Sequence, residues 1–474
     1  MFFKSITLKG VLITLLLLVS ASGQNNRFNE EMESLLQDSF FISCNSGIKV
    51  YNLTKKAELF SRDKHKLMNP ASNMKVITTI AGLVYLGPEY TFNTGIGYRG
   101  KIENGELIGD IIIRGGCDPD FKLDSLFKIV EVIKNAGIKK ITGGVLVDVS
   151  RKDSLFWGEG WMWDDDGAVT SPFMSALNIN GNYVTVTVSP DANGGEPIVT
   201  TSPVTKFFNI QNDATTGAGS TNLKVWRDYL GRTNTIFVKG NINRTTQAQV
   251  YYFNVWRPEL YMAELVKEKL ASAGIQTKGA NGVIDPGYEY QKIYEFKHAY
   301  KNLITPLNKR SDNLYAEMML LALGGKSREK NISFADGKKY IDSVIAWAGK
   351  NPGGFRIADG SGVSRYSTVS TDLLVALISK LYYDGGDLFN IFYNSLPIAG
   401  VDGTLANRMK NTVCYNNVRA KTGSLSGVST LTGYVKGKSG DMLAFSILMQ
   451  NFTGSAAKAR AFQDKICELI TLYN

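Results

Sequence analysis

The chain has 474 residues, 44% of them apolar and 20% charged, a length that calls for two or three domains and a composition ordinary for a folded protein. Its formal charge of +10 admits nucleic acid, anionic polymers or membrane surfaces as partners. The basic residues are scattered, with no Lys/Arg block interleaved with aromatics, and no nucleic-acid partner is expected.

Lys4 and Lys9 precede an apolar run from Val11 to Val19, and Ala21-Ser22-Gly23 supplies small residues for cleavage. This pattern reads as a secretory signal peptide over residues 1–23, with a new N-terminus near Gln24. The run is too short for a span, which needs about 20 apolar residues, and no Cys stands at the cleavage point to carry lipid. The mature protein is therefore expected to be exported, without a transmembrane anchor.

Residues 27–38 follow as a helix with Met32, Leu35 and Leu36 on one face, then a strand pair over 39–61. From Asn69 to Leu86 the pattern is helical again; Asn69 can cap, and Pro70 suits the first helical position. Between about 90 and 295 the texture changes to short β-like runs (Ile111–Ile113, Val145–Val149, Val184–Val188, Ile236–Val238, Val250–Phe253) separated by turn residues, with helices expected at 122–136 and 258–273. After 300, helices are expected at 311–323, 336–348 and 371–383. Strand-like segments Asn417–Ser424, Val428–Val435 and Met442–Met449 then read as an antiparallel meander. A last helix, 455–472, carries Phe462, Ile466 and Ile470 in a stripe that fits packing on the meander better than membrane anchoring.

The expected class is α+β. Residues 24–90 and 296–474 make one domain around a shared sheet, and 91–295 form a large, mainly β inserted region of two small domains.

Four cysteines (Cys44, Cys117, Cys414, Cys467) lie far apart with no C-x-x-C pair, which argues against metal or thioredoxin-like chemistry and leaves disulfides and buried thiols both open. The chain has two histidines, His65 and His298, too few for an ordinary zinc peptidase, and no G-x-S-x-G elbow. No metal or cofactor is expected. A catalytic serine here needs a base other than histidine.

A lysine one helical turn away meets that need, because S-x-x-K on a helix puts both side chains on one face. Ser72-Asn73-Met74-Lys75 fits, but so do Ser46…Lys49, Ser61…Lys64, Ser125…Lys128, Ser327…Lys330 and Ser455…Lys458. Context separates them: Ser72 alone sits in the first turn of a helix opened by Asn-Pro and continued by a long apolar face. There the free N–H groups favour developing negative charge, and burial lowers the lysine's pKa toward that of a usable base. Ser311-Asp312-Asn313 at a helix start and Lys421-Thr422-Gly423 on a strand complete the ordered set S-x-x-K, S-D-N, K-T-G.

With these motifs in place the sequence resembles the class-C low-molecular-mass penicillin-binding proteins, the D-alanyl-D-alanine carboxypeptidase/endopeptidases. Three further stretches carry the resemblance: Asp359-Gly-Ser-Gly-Val-Ser-Arg365, Gly160-Trp-Met-Trp-Asp-Asp165 followed by Ser175-Ala-Leu-Asn178, and Asp110–Pro119, where Arg114 and Cys117 depart from the family pattern.

The resemblance implies a transpeptidase/β-lactamase-like core, an antiparallel sheet flanked by helices, carrying a large insertion. It implies peptidoglycan stem peptides as substrates, β-lactams as covalent inhibitors and a periplasmic location. It also implies roles. Ser72 attacks the carbonyl of the penultimate D-alanine, Lys75 takes its proton, and Ser311 relays a proton to the leaving amine. Asn313 holds the substrate amide, Lys421 polarises the network, and Thr422 helps bind the terminal carboxylate. Gly423 belongs to the substrate-binding strand, and the N–H groups of Ser72 and Ser424 form the oxyanion hole. An aspartate of the Trp-Asp-Asp segment, Asp164 or alternatively Asp165, would meet an ammonium on the third stem residue. The Asp359–Arg365 loop receives no catalytic role. A serine β-lactamase and a non-catalytic wall-binding or sensor protein are the competing readings; the first lacks a convincing deacylating glutamate in Glu317 or Glu329, and the second has no need of five intact site residues.

Overall fold

The computed structural model describes residues 27–284 and 287–473, so the leader read over residues 1–23 and the N-terminus near Gln24 lie outside the described residues. Its central sheet has five antiparallel strands in the order Arg419–Leu425, Val428–Lys436, Met442–Gln450, Asn45–Asn52 and Ala57–Arg62. The expected strand pair and meander thus join through the register Ile48↔Ile447.

The sequence of the central strand explains why both sheet faces are covered. Along Met442–Gln450, Leu443, Phe445, Ile447 and Met449 enter one apolar cluster, while Ala444 and Leu448 enter another on the opposite face. A strand that carries apolar side chains on both faces needs a layer on each side. The C-terminal helix Ala457–Tyr473 and the helix at 27–35 supply one, and Met74–Tyr85, Asn313–Gly324 and Thr371–Asp384 supply the other. Ile466 and Ile470 are fully buried on the meander side. Among the described residues, no helix is long and apolar enough to cross a membrane.

Three local expectations need correction. The first helix ends at 35, a turn early, because the chain bends into a short helix at Phe40–Ser43. The helix expected from Asn69 opens as a 3-10 turn, Ala71–Asn73, before the α-helix Met74–Tyr85. The helix expected at 311–323 begins at Asn313, because Ser311 is left-handed and Asp312 caps, and every residue from Leu314 to Gly324 is buried. It is a central rod, surrounded on all sides, which is why its sequence is almost uniformly apolar.

Residues beyond Thr91 leave this core through the hairpin Thr91–Glu103/Glu106–Arg114, whose two-residue turn Asn104-Gly105 has positive φ at both positions. That hairpin heads a second sheet, with Gln291–Ala299 along one edge, and with helices Ser125–Asn135 and Pro258–Ser272 it encloses its own apolar cluster. Two three-stranded sheets complete the middle of the chain. Lys224–Arg227, Thr235–Asn243 and Asn209–Gly217 form one, and Gln249–Asn254, Tyr183–Ser189 and Ile198–Ser202 form the other.

Candidate active site

The turn bearing Ser72 is held from both ends. Asn69 Oδ1 accepts the N–H of Ala71 at 2.8 Å, and Asn69 Nδ2 donates to the Ser364 carbonyl at 3.0 Å. Ala71 adopts φ +44°, a left-handed conformation that a non-glycine residue holds only when its surroundings enforce it. The buried Asn73 donates to the Lys421 carbonyl at 3.1 Å and to Thr430 Oγ1 at 2.7 Å, fastening the turn to the Lys-Thr-Gly strand. Gly423 lies where that strand passes the turn: a Cβ there would stand 2.2 Å from Thr430 Oγ1 and 2.8 Å from the Ser72 nitrogen.

Lys75 is fully buried, and its ammonium nitrogen donates to Ser72 Oγ at 3.0 Å, Asn313 Oδ1 at 2.5 Å and the Ser361 carbonyl at 2.7 Å. Burial pulls its pKa down to about 8, against the opposing pull of the carboxylates of Asp359, Glu317 and Asp312. Lys421 is equally buried and donates to Ser311 Oγ at 2.9 Å and to the Thr422 carbonyl at 2.8 Å. Burial first, and the nearby Lys75 charge second, hold Lys421 well below the ordinary lysine value. Ser311 sits at φ +61° just before the rod helix, and Asp312 caps that helix by accepting the Tyr315 N–H at 3.3 Å.

These groups open into a cleft of 300 Å³ whose walls include Ser72, Ser311, Asn313, Thr422, Gly423 and Ser424. Lys75 and Lys421 lie directly behind them. The cleft wall includes Asp165 and not Asp164, which is exposed on the same 3-10 turn, Trp163–Asp165. Neither histidine lines the cleft: His65 is exposed, and His298 pairs with Asp118 at 2.6 Å. All four cysteines are buried free thiols.

Sequence reasoning missed the part played by the Asp359–Arg365 loop. Its Ser361 carbonyl is one of three acceptors for Lys75. Two buried carboxylates shape the loop: Glu317 accepts the N–H groups of Gly360 and Ser361 at 3.0 and 2.8 Å, and Asp359 accepts those of Gly362 and Ser364 at 3.1 and 2.7 Å. Burial and the neighbouring Asp359 charge raise the Glu317 pKa to about 8. Arg310 and Thr404 also line the cleft, with Thr422 Oγ1 donating to Thr404 Oγ1 at 2.7 Å. The glycine density around Asp359 was the available signal, though it suits any tight turn.

Residues 28–472 match the model of the D-Ala-D-Ala carboxypeptidase 3 (S13) family. The chain belongs to this family. It is 30% identical over 479 residues to the D-alanyl-D-alanine carboxypeptidase of Actinomadura sp. (strain R39), covering 96% of this chain and 87% of that one. Its fold is similar to the crystal structure of penicillin binding protein 4 from Haemophilus influenzae, with a TM-score of 0.80 and 26% identity over 92% of this chain and 98% of that one. A structure of the same Haemophilus protein complexed with a β-lactam aligns with a TM-score of 0.77 and 24% identity, over 94% and 99%. The S13 reaction, serine-type hydrolysis of the D-alanyl-D-alanine bond, is the activity of this chain, and the transpeptidase-like core is its catalytic fold.

Proposed function

We propose that this D-alanyl-D-alanine carboxypeptidase acts through an acyl-enzyme on Ser72, with Lys75 as the base. The observation that carries this reading is the 3.0 Å contact between Lys75 Nζ and Ser72 Oγ, made by a lysine whose pKa is brought to about 8 by burial. A lysine so placed is partly unprotonated at neutral pH, as a general base must be. The Ser72 hydroxyl proton passes to Lys75 Nζ while Oγ bonds to the carbonyl carbon of the penultimate D-alanine. The oxyanion that forms is met by the N–H groups of Ser72 and Ser424. The C–N bond then breaks, and the leaving amine of the terminal D-alanine takes its proton through Ser311. Water attacks the ester, its proton returns through Lys75, and Ser72 is freed.

Lys421 supports this relay at 2.9 Å from Ser311 Oγ. A substrate carboxylate arriving near Thr422 would oppose the burial that depresses the lysine's pKa. Asn313 holds the substrate amide. Asp165, from the cleft wall, takes the role of meeting the third-residue ammonium in place of Asp164. Residues 24–90 and 296–474 act as the catalytic unit and 91–295 as its insertion, working in the periplasm after removal of residues 1–23. Peptide cross-links that end in the same D-alanyl bond are further substrates.

β-Lactams acylate Ser72 and remain there. Among the described residues no glutamate lines the cleft, and Glu317 is occupied behind it by the Gly360 and Ser361 N–H groups, so neither place supplies the glutamate base of a class A β-lactamase. The test is labelling with a fluorescent penicillin beside digestion of a D-alanyl-D-alanine pentapeptide. Wild type should take a persistent label and release one alanine, and Ser72→Ala should do neither. Labelling that survives in Ser72→Ala would overturn the assignment.

A further inference from the structure

The segment from Met162 to Ser171 has two sides. One faces the cleft through Asp165, Thr170 and Ser171. The other presents Trp163, which is 66% exposed and stacks on Tyr229 with ring centroids 6.1 Å apart and an interplanar angle of 28°. Tyr229 and the 76% exposed Leu230 lie at the tip of the hairpin between strands Lys224–Arg227 and Thr235–Asn243, in the middle part of the chain. With Trp157, Phe173 and Arg232 they bound a groove of 150 Å³ whose lining residues Trp163 and Asp166 flank the cleft residue Asp165 in the chain.

The groove is a built feature. Arg227, wholly buried, pairs with the carboxylate of Asp166 and also donates to Asn254 Oδ1 at 3.1 Å and to the Thr233 carbonyl at 2.7 Å. Asp166 also accepts the Gly167 N–H. This network ties the hairpin tip to the Trp-Asp-Asp turn, so Trp163 and Tyr229 are held in place before any ligand arrives. A rigid aromatic pair, its Trp163 ring exposed and its Tyr229 ring half-buried, is costly in water and fits a flat, amphipathic ligand.

We propose that this groove binds a sugar ring of the glycan strand that carries the stem peptide. The inference rests on the substrate reading above and adds a polymer-recognition site to it. An N-acetylated hexosamine has apolar C–H faces that pack on aromatic rings and edge groups that seek hydrogen bonds, which matches a Trp/Tyr wall flanked by the exposed Arg232. Length agrees as well. With the third stem residue at Asp165, two residues and a short ether remain before the sugar, roughly 10 Å at about 3.3–3.6 Å per residue. Trp163 is two residues from Asp165, and its ring centroid is 6.1 Å from that of Tyr229, so the aromatic wall falls within that reach. The patch is far smaller than the roughly 800 Å² per partner of a stable protein interface, which points away from a protein occupant.

The test separates glycan binding from catalysis. Peptide-free glycan strands are titrated into Ser72→Ala protein and followed by tryptophan fluorescence and calorimetry. Saturable binding is expected, weakened about fivefold by adding Tyr229→Ala, as loss of one stacking ring implies. Leu230→Ser, at the exposed tip, is the second variant and should weaken it too. In the active chain, kcat/KM for a disaccharide-pentapeptide should exceed that for the sugar-free pentapeptide, and Tyr229→Ala should bring the ratio toward one. Absence of saturable glycan binding, or unchanged affinity in both variants, overturns the inference even where penicillin labels Ser72. Failure of the Ser72 reading would appear instead as labelling or cleavage that survives Ser72→Ala.

Discussion

Glu317 Oε1 accepts the backbone N–H of Ser361 at 2.8 Å, and through that bond a side chain outside the cleft aims the Ser361 carbonyl at Lys75. Glu317 is thus a positioning residue: it sets the loop that sets the base. Glu317→Ala should cost roughly 2–6 kcal/mol of stability, because two buried N–H groups lose their acceptor at about 1–3 kcal/mol each. Glu317→Gln keeps one acceptor and should cost less. Denaturant unfolding gives the energies. The rate of penicillin acylation should fall in Glu317→Ala and recover partly in Glu317→Gln; equal acylation in all three proteins would refute the positioning role.

The base assignment predicts a pH profile. Lys75 has its pKa lowered to about 8, so the ammonium predominates below that pH and cannot accept the Ser72 proton. Acylation should therefore rise as pH increases through about 8 and fall below it. Lys75→Ala should lose about 10²–10⁴-fold in acylation rate together with this limb. A stopped-flow acylation profile over pH reads both.

Asn313 offers a sharper version. Its Oδ1 accepts from the Lys75 ammonium at 2.5 Å and so favours the charged form. In Asn313→Ala that support is gone, and the acylation limb should move to lower pH even as the maximal rate drops. A limb that stays in place or moves up would show that the contact does not stabilise the ammonium.

Gly362 predicts a steric failure. It adopts φ +82°, and a Cβ there would stand 1.8 Å from the Ala71 carbonyl oxygen, next to the nucleophile. Gly362→Ala should displace the Ser72 turn, slowing acylation by at least about tenfold and destabilising the fold by more than roughly 1 kcal/mol, since both strain and overlap act. Paired measurement of melting temperature and labelling rate checks this.

The thiols give an independent test of the core. Burial raises Cys44, Cys117 and Cys414 to about 11 and Cys467 well above its usual value. A thiol reagent at neutral pH should find none of the four in the native protein and all four after unfolding.

Much of this architecture was legible in the chain because it rests on local chemistry. The apolar run Met442–Met449 and the three motifs act over a few residues, and composition or spacing exposes them. What stayed hidden depends on distant partners. Ser361 contributes a backbone carbonyl, which no side-chain pattern reveals. That Asp165 lines the cleft while Asp164 is exposed depends on how one 3-10 turn is set against the rest of the fold. The α-helix was expected to include Ser72, yet a left-handed Ala71 places that residue in a tighter turn, an arrangement enforced by Asn69, Asn73 and the adjacent strand.

The pairing of Asn45–Asn52 with Met442–Gln450 also governs the order of assembly. The N-terminal strand cannot find its neighbour until some four hundred further residues have emerged, and Lys75 meets Asn313 and Ser361 only across separations of 238 and 286 positions. Closing such loops is slow and leaves apolar strand edges bare meanwhile. The middle of the chain, with its own apolar cluster, has partners at hand much earlier. Hydrolytic competence is therefore the last property this molecule acquires: a half-made chain holds Ser72 and Lys75 side by side but lacks the burial and the Asn313 and Ser361 acceptors that tune the lysine, and cannot cut the wall before it is finished.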